Sequence, residues 1–319
     1  MKQWIKNIYN KLLNNIFPIY KKVYLLERKY EELFSLLDNY SYLKHILLNN
    51  SVFVNNNTLT SQICNLEFWN YPFFRKWALI LKENPLHLHR KLWEYIYITQ
   101  VLYENNLLSE GKKGLGFAVG TEPLPALFAS LGCEILATDI NGNTKLGKGW
   151  IISNQNANGE INKLNNRGIC DEETFKKNVK YRNVDMNNIP KDLKEFDFCW
   201  SACAVEHIGG LDKSLEHICN CMEILKPGGI FVFTTEYNLS SEDETLENPY
   251  NYIFTKKNIE MIKNRLEKAG HYVYPLDLKL GESGVDKYVD MPPYHQKLHL
   301  RSLFEGYVVT SIGIIVRNK

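Results

Sequence analysis

Five residues between Gly111 and Asp139 have the types and spacing to hold a nucleotide-like ligand: Gly116, Ala118, Gly120, Glu122 and Asp139. Asp139 ends an apolar run about twenty residues after Gly120, the distance at which an acid on the second strand of a nucleotide-binding unit accepts ribose hydroxyls. A dinucleotide site would want G-x-G-x-x-G, with backbone close to the pyrophosphate and a helix N-terminus aimed at it. Counted from Gly114, the third glycine is replaced by Val119; counted from Gly116, the second is Ala118. Glu122 also puts a negative charge where a pyrophosphate would lie. That charge repels phosphate and suits a ligand carrying a sulfonium and an ammonium, so the pattern favours S-adenosylmethionine over NAD.

Two further residues have base chemistry. Transfer of a methyl group to a hydroxyl requires the proton to leave as the new bond forms, and so a base within hydrogen-bond reach. His207, in Glu206-His207 after the expected fourth strand, and Glu236, just past the fifth, are the leading candidates, ahead of His271, His295 and His299. Each has a plainer reading: a loop histidine that is only structural, a carboxylate pinned by its own backbone. Acceptor-side candidates are Trp150, Tyr237, Asn238 and Tyr294. Trp150, with Ile151 and Ile152, forms the apolar tooth of a polar insertion over residues 141–166. Segments of that length and composition are lids, binding loops or disordered, and this one is expected to be irregular and mobile without ligand. Tyr294 sits in a tail of acids, aromatics and histidine over residues 286–295 that suits a sugar or is only a rigid proline loop.

The elements that must position these residues are legible in outline. Residues 115–119 read as a short buried strand, Pro123 as an early helical position, Gly132 as a helix stop and residues 133–138 as a second strand. Strands follow at 181–185, 196–201, 230–235, 272–276 and 307–316. Between them lie a helix capped by Asp212, with Leu215, Ile218, Met222 and Leu225 on one face, and a helix opened by Thr255, with Ile259, Ile262 and Leu266 inward. Alternating strands and helices give an α/β class with a doubly wound, mostly parallel sheet.

The stretches 116–124 (Gly-Phe-Ala-Val-Gly-Thr-Glu-Pro-Leu), 137–139 (Ala-Thr-Asp), 183–186 (Asn-Val-Asp-Met), 196–201 (Phe-Asp-Phe-Cys-Trp-Ser), 206–208 (Glu-His-Ile), 225–229 (Leu-Lys-Pro-Gly-Gly) and 234–238 (Thr-Thr-Glu-Tyr-Asn) carry a resemblance. Over roughly residues 85–319 the chain resembles the class I S-adenosylmethionine-dependent methyltransferases, most closely a bacterial group found among surface-polysaccharide genes. The family's first motif has an acid and three glycines; here Gly116, Ala118 and Glu122 depart from it and Gly120 stands as expected. The resemblance implies a Rossmann-like seven-stranded sheet with its last strand antiparallel. It gives Asp185 to the adenine amino group and Met186 to the face of the ring, where residue types alone would also allow Asp185 to be a turn acid. Ile140 and Ser201 complete the expected cofactor set.

Composition fits an enzyme of the cytoplasm. A net charge of +2 carries no nucleic-acid signal. Seven cysteines, an odd number spread over strands and helices, read as reduced thiols. No apolar run reaches the roughly 18 residues of a membrane span, no metal spacing is evident, and the N-terminus does not read as a signal peptide. The chain divides into an N-terminal helical extension (1–50), a helical region leading into the core (51–108, with a helix from about 87 to 108) and a cofactor-binding domain (109–319). Leu26, Tyr30, Leu33, Leu37 and Tyr40 form a helical stripe that either pairs two chains or packs on its own domain. The expected activity is methyl transfer to a sugar hydroxyl, or a sugar substituent, of a surface glycan or its nucleotide-linked precursor. The rivals are a methyltransferase of another small molecule, protein or RNA, and a non-catalytic S-adenosylmethionine-binding scaffold for glycan assembly. An open acceptor pocket faced by His207 and Glu236 favours the enzyme, a filled one the scaffold.

Overall fold

A computed structural model describes residues 59–319 apart from positions 154 and 249. The extension expected over residues 1–50, with its stripe from Leu26 to Tyr40, lies outside the described residues. In chain order, β1 (Ser61–Ile63) leads through a short turn of helix into α1 (Pro72–Ile80), and β2 (Leu88–His89) runs directly into α2 (Arg90–Glu104). The central unit follows as β3 (Lys113–Phe117), α3 (Leu124–Ser130) and β4 (Glu134–Asp139). Then come α4 (Lys145–Ile152), α5 (Glu172–Asn178), β5 (Val179–Asn183), β6 (Phe196–Ala202), α6 (Leu211–Glu223), β7 (Leu225–Asn238) and α7 (Lys256–Lys268). The chain continues as β8 (Tyr272–Val273), β9 (Leu276–Asp277), α8 (Gly284–Lys287), β10 (Leu298–His299), β11 (Ser302–Phe304) and β12 (Tyr307–Arg317).

One sheet runs β5-β4-β3-β6-β7-β12-β1-β9. Its pairs from β5 to β7 are parallel, and β12 is antiparallel to β7. A sheet covered on both faces needs strands that are apolar almost throughout. The buried runs Phe198-Cys199-Trp200, Ile230 to Phe233 and Ile314-Ile315-Val316 meet that need. Helices α6 and α7 close one face with Leu215, Ile218 and Met222 and with Ile259, Ile262 and Leu266, all part of one core with Phe117 and Phe231. Thr255 and Asn258 form a reciprocal cap at the start of α7, satisfying backbone donors that a helix start otherwise leaves orphaned.

The α/β, Rossmann-like class is as the sequence implies, but ten strands rather than seven join the sheet among the described residues. The cause is the length of β12. Its edge away from β7 is covered in three places, by β11 at Ser302–Phe304, by β1 at Gln62 and Ile63, and by β8 at Tyr272 and Val273. Pairing such an edge removes a row of free backbone donors and acceptors. Residues 59–108 are thus not helical throughout, and the long helix is Arg90–Glu104. Asp212 is not the cap of α6: Gly210, with φ 95°, holds that position. Nor is the 141–166 insertion irregular. The Thr144 hydroxyl accepts the Gly147 N–H at 3.0 Å and starts α4, a helix hidden in the sequence by its two poorly helix-forming glycines. No helix among the described residues is long and apolar enough to cross a membrane.

Candidate active site

A cavity of about 670 Å³ opens at the carboxyl ends of β3, β4, β6 and β7, the edge at which open parallel sheets bind ligands. Eleven expected residues line it: Ala118, Gly120, Glu122, Asp139, Ile140, Trp150, Asp185, Met186, His207, Glu236 and Tyr294. Four do not. A Cβ at position 116 would lie 2.4 Å from Trp200 Cζ2, so Gly116 makes room for a core tryptophan rather than a ligand. The Ser201 side chain is fully buried. Strand alternation puts Tyr237 on the face opposite Glu236, where it joins the core. The Asn238 carboxamide is spent on the following loop, donating to Glu244 O and accepting from the Ser240 and Ser241 N–H groups.

At the β3–β4 end the chain turns sharply. Ala118 has φ 49° and Gly120 φ 55°, the left-handed region that glycine tolerates at least cost. A Cβ on Gly120 would also meet Gln155 O at 2.6 Å. Asp139, 4% exposed, accepts the Gly120 N–H at 3.0 Å with Oδ2 and the Ile140 N–H at 2.7 Å with Oδ1. Burial pushes its pKa up to about 6 against the pull of these two donors. Glu122 accepts the Trp200 indole N–H at 2.6 Å. Burial pushes it up to about 8 despite that bond, so it is mostly protonated at pH 7. Asp185 lies just past β5 and accepts the Asn187 N–H at 2.9 Å.

Over this floor stands α4. Trp150 packs its ring 5.0 Å from that of His207, tilted by 57°. His207 donates Nδ1–H to Tyr250 O at 2.9 Å, which is the only way an imidazole nitrogen can bond a carbonyl. Beside it Glu206, wholly buried, accepts the Thr235 hydroxyl at 3.0 Å, and burial raises its pKa.

The opposite end holds residues that no local motif announces. Arg90, at the start of α2, donates Nη2–H to Glu236 Oε1 at 2.6 Å and Nη1–H to Ser311 Oγ at 3.3 Å. Behind it the fully buried Glu94 takes Lys91 Nζ at 2.6 Å, Arg90 Nη1 at 3.5 Å and the Ser311 hydroxyl at 2.5 Å. Burial alone would raise the Glu94 carboxyl, but Lys91 and Arg90 outweigh it and hold it at about 2. Burial likewise works against the Arg90 charge, and Glu236 first among its neighbours overcomes it. The expected base Glu236 is therefore half of a close ion pair. His89, Gln296, His299 and Phe304 complete this wall with Tyr294.

The donor set fits S-adenosylmethionine. Asp139 and Asp185 are acceptors for hydroxyl and amino groups, Met186 offers an apolar face, and Glu122, mostly protonated at pH 7, is a buried carboxyl that a cation placed beside it would draw into the ionised form. The cavity is open, and His207 and Glu236 both line it. Residues 115–233 match a family model described as a methyltransferase domain. None of the curated proteins matches the chain. Among solved structures it is similar to the methyltransferase domain of bacterial CtHen1-CN, at 14% identity over 70% of this chain and 96% of that one, TM-score 0.43. It is also similar to the glycopeptide N-methyltransferase MtfA, at 12% identity over 70% and 95%, TM-score 0.42, and to the N-terminal domain of EvdMO1 with SAH and D-fucose, at 13% over 71% and 83%, TM-score 0.43. The matched segment begins in β3, ends in β7 and carries the turn from Ala118 to Glu122, Asp139, Asp185 and His207; this part of the chain is a methyltransferase domain, and its cofactor is S-adenosylmethionine.

Proposed function

We propose that the enzyme methylates a hydroxyl of a sugar, in a surface glycan or its nucleotide-linked precursor. The observation that carries this is the make-up of one cavity. Its β3–β4–β5 edge presents acids and tight backbone, while its far wall mixes aromatic rings with neutral and ion-paired polar groups: Tyr294, Phe304, His89, His299, Gln296 and the Arg90–Glu236 pair. Rings for the apolar face of a pyranose and fixed polar groups for its hydroxyls are what a sugar requires, and an ion pair neutral overall favours an uncharged sugar ring over an acidic one at this wall. The surface-glycan context comes from the sequence resemblance.

On this reading Asp139 accepts the ribose hydroxyls, Asp185 the adenine amino group and Met186 packs on the ring, with Ala118, Gly120 and Ile140 forming the backbone floor. Bound S-adenosylmethionine supplies a methyl group already activated by its sulfonium. The protein's work is alignment and exclusion of water. Trp150 and His207 form the cover over the meeting point, and Arg90 holds Glu236 as a fixed acceptor that orients the sugar. With its carboxylate committed to a guanidinium 2.6 Å away, Glu236 serves better for orientation than for taking a proton.

Two outcomes follow. Trp150→Ala should raise KM or lower kcat about tenfold or more, as loss of a water-excluding cover does, with little change in Tm because the ring is only half-buried on a surface helix. A large fall in Tm with activity per folded molecule intact would make Trp150 a packing residue. Affinity for S-adenosylhomocysteine should rise with pH, through about 6 as Asp139 ionises and again toward 8 as Glu122 ionises beside the ligand's ammonium. Binding at pH 7 should accordingly release protons, read as a dependence of the calorimetric heat on buffer ionisation enthalpy. A flat pH profile from 5 to 8 would remove both acids from the site. The acceptor class is tested with methyl-13C S-adenosylmethionine and a panel of UDP-, GDP- and dTDP-hexoses and methyl glycosides. A carbon signal in the O-methyl range is expected; label appearing only on nitrogen, protein or RNA would overturn the reading.

A further inference from the structure

We propose that His299, held by the buried Asp290, is the base that receives the acceptor's proton. This rests on the hydroxyl-acceptor reading above. Asp290 is fully buried in the loop before β10, and it is saturated with donors: the backbone N–H groups of His295 and Gln296 at 3.1 and 3.0 Å, and His299 Nδ1–H at 2.8 Å. Those donors, His299 first among them, outweigh burial and hold the Asp290 carboxyl below its usual range. A buried carboxylate on Nδ1–H fixes both the ring's orientation and its tautomer. Nε2, the remaining nitrogen, is then a lone-pair acceptor, and the ring stands on the cavity wall.

The surroundings keep that nitrogen ready. His89 stacks on His299 at 4.7 Å and 25°. Its own Nδ1 accepts the Lys91 N–H at 3.0 Å, and burial drives its pKa down to about 3, so it stays neutral. Tyr294 packs edge-on against His299 at 5.5 Å and donates its hydroxyl to Leu303 O at 2.7 Å. The charged groups facing His299 are Asp290, Arg90 and Glu236. Burial, aided by Arg90 and opposed by Asp290 and Glu236, leaves the imidazole pKa lowered, so the ring is neutral at pH 7. Neither earlier candidate has this support. His207 Nδ1 rests on a single carbonyl rather than a carboxylate, and Glu236 is bound to Arg90.

In the step this implies, the acceptor oxygen bonds to the donor methyl carbon while the carbon–sulfur bond breaks and its electron pair stays on the sulfur of S-adenosylhomocysteine. The hydroxyl proton passes to His299 Nε2, and the resulting imidazolium is balanced by Asp290 until the proton leaves to water with the product. Asp290 never touches the acceptor; it is a positioning residue.

The test has two arms. Long-range 1H–15N spectra of the wild-type histidines at pH 7 should show His299 as the Nδ1–H tautomer with a bare Nε2, and Asp290→Asn should disturb that state. An Nε2–H tautomer, or a charged ring from pH 6 to 8, would overturn the proposal whether or not an acceptor has been found. With methyl-13C S-adenosylmethionine and the same sugar panel, His299→Gln should lower kcat about 10²–10⁴-fold, the usual yield of a general base, while S-adenosylhomocysteine affinity stays within about threefold of wild type. Asp290→Asn should lower kcat and shift the acidic limb of its pH profile with little change in KM. Label on oxygen with His299→Gln turning over normally would sink the base assignment alone. Label on nitrogen in the wild type would sink the hydroxyl reading.

Discussion

Glu94→Gln should destabilise the folded protein by about 1.5–3 kcal/mol, the value of hydrogen bonds to a charged group, since the Lys91 partner is 38% exposed and water takes up part of its charge. At roughly 2–4 °C per kcal/mol for a large domain, thermal denaturation should show Tm falling on the order of 3–12 °C. The side chain is wholly buried and faces Lys91 and Arg90 together, so a neutral amide leaves Arg90 to Glu236 and Lys91 to solvent. Acid should expose the same dependence. The Glu94 carboxyl is depressed from 4.5 to about 2, so its contribution is whole above pH 4.5 and is lost as pH falls through 2. Wild type should therefore lose stability steeply between those values, and Glu94→Gln should not show that part of the loss. A change of only a degree or two in Tm would mean that water reaches the cluster and that its charges need no mutual pairing.

Asp139→Ala should weaken S-adenosylhomocysteine binding by about 1.5–3 kcal/mol, the value of hydrogen bonds to a charged group, or roughly 10- to 150-fold in Kd. Part of that loss is indirect, since the carboxylate also anchors the Gly120 and Ile140 N–H groups. Asp139→Asn separates the parts: one amide oxygen can still hold a backbone N–H, but the second oxygen and the charge are gone. An intermediate affinity is expected. If calorimetry shows Asp139→Asn equal to wild type, the carboxylate is a backbone brace and the ribose is held elsewhere.

What the sequence revealed was what lies close together along the chain. The β3–α3–β4 unit occupies 27 residues, Lys113 to Asp139, and its turn glycine, proline, helix stop and terminal acid were all readable because each acts on its neighbours. Trp150 was legible as the lead of the Trp150-Ile151-Ile152 apolar run in an otherwise polar stretch. The opposite wall was not. Arg90 meets Glu236 across 146 positions and Glu94 meets Ser311 across 217, and only the folded sheet brings them together. β1 is three residues long, too short for any period to show. The errors at Tyr237 and Asn238 were avoidable in part, since alternation along β7 already sets Tyr237 opposite Glu236. Gly116 misled because a glycine demanded by Trp200 looks, in sequence, the same as one demanded by a ligand. Asp290 and His299 stood in view in a tail of acids and histidines, but nothing in spacing alone says which acid meets which ring.

The central claim is that the edge formed by Ala118 to Glu122 and Asp139 receives S-adenosylmethionine rather than a dinucleotide. Calorimetric titration of the full chain with S-adenosylhomocysteine, and separately with NAD, addresses it directly. Saturable binding of one S-adenosylhomocysteine per chain, with NAD giving no measurable heat of binding, is the result predicted. Tight binding of NAD, or no heat from S-adenosylhomocysteine with a protein that still unfolds cooperatively, would contradict it.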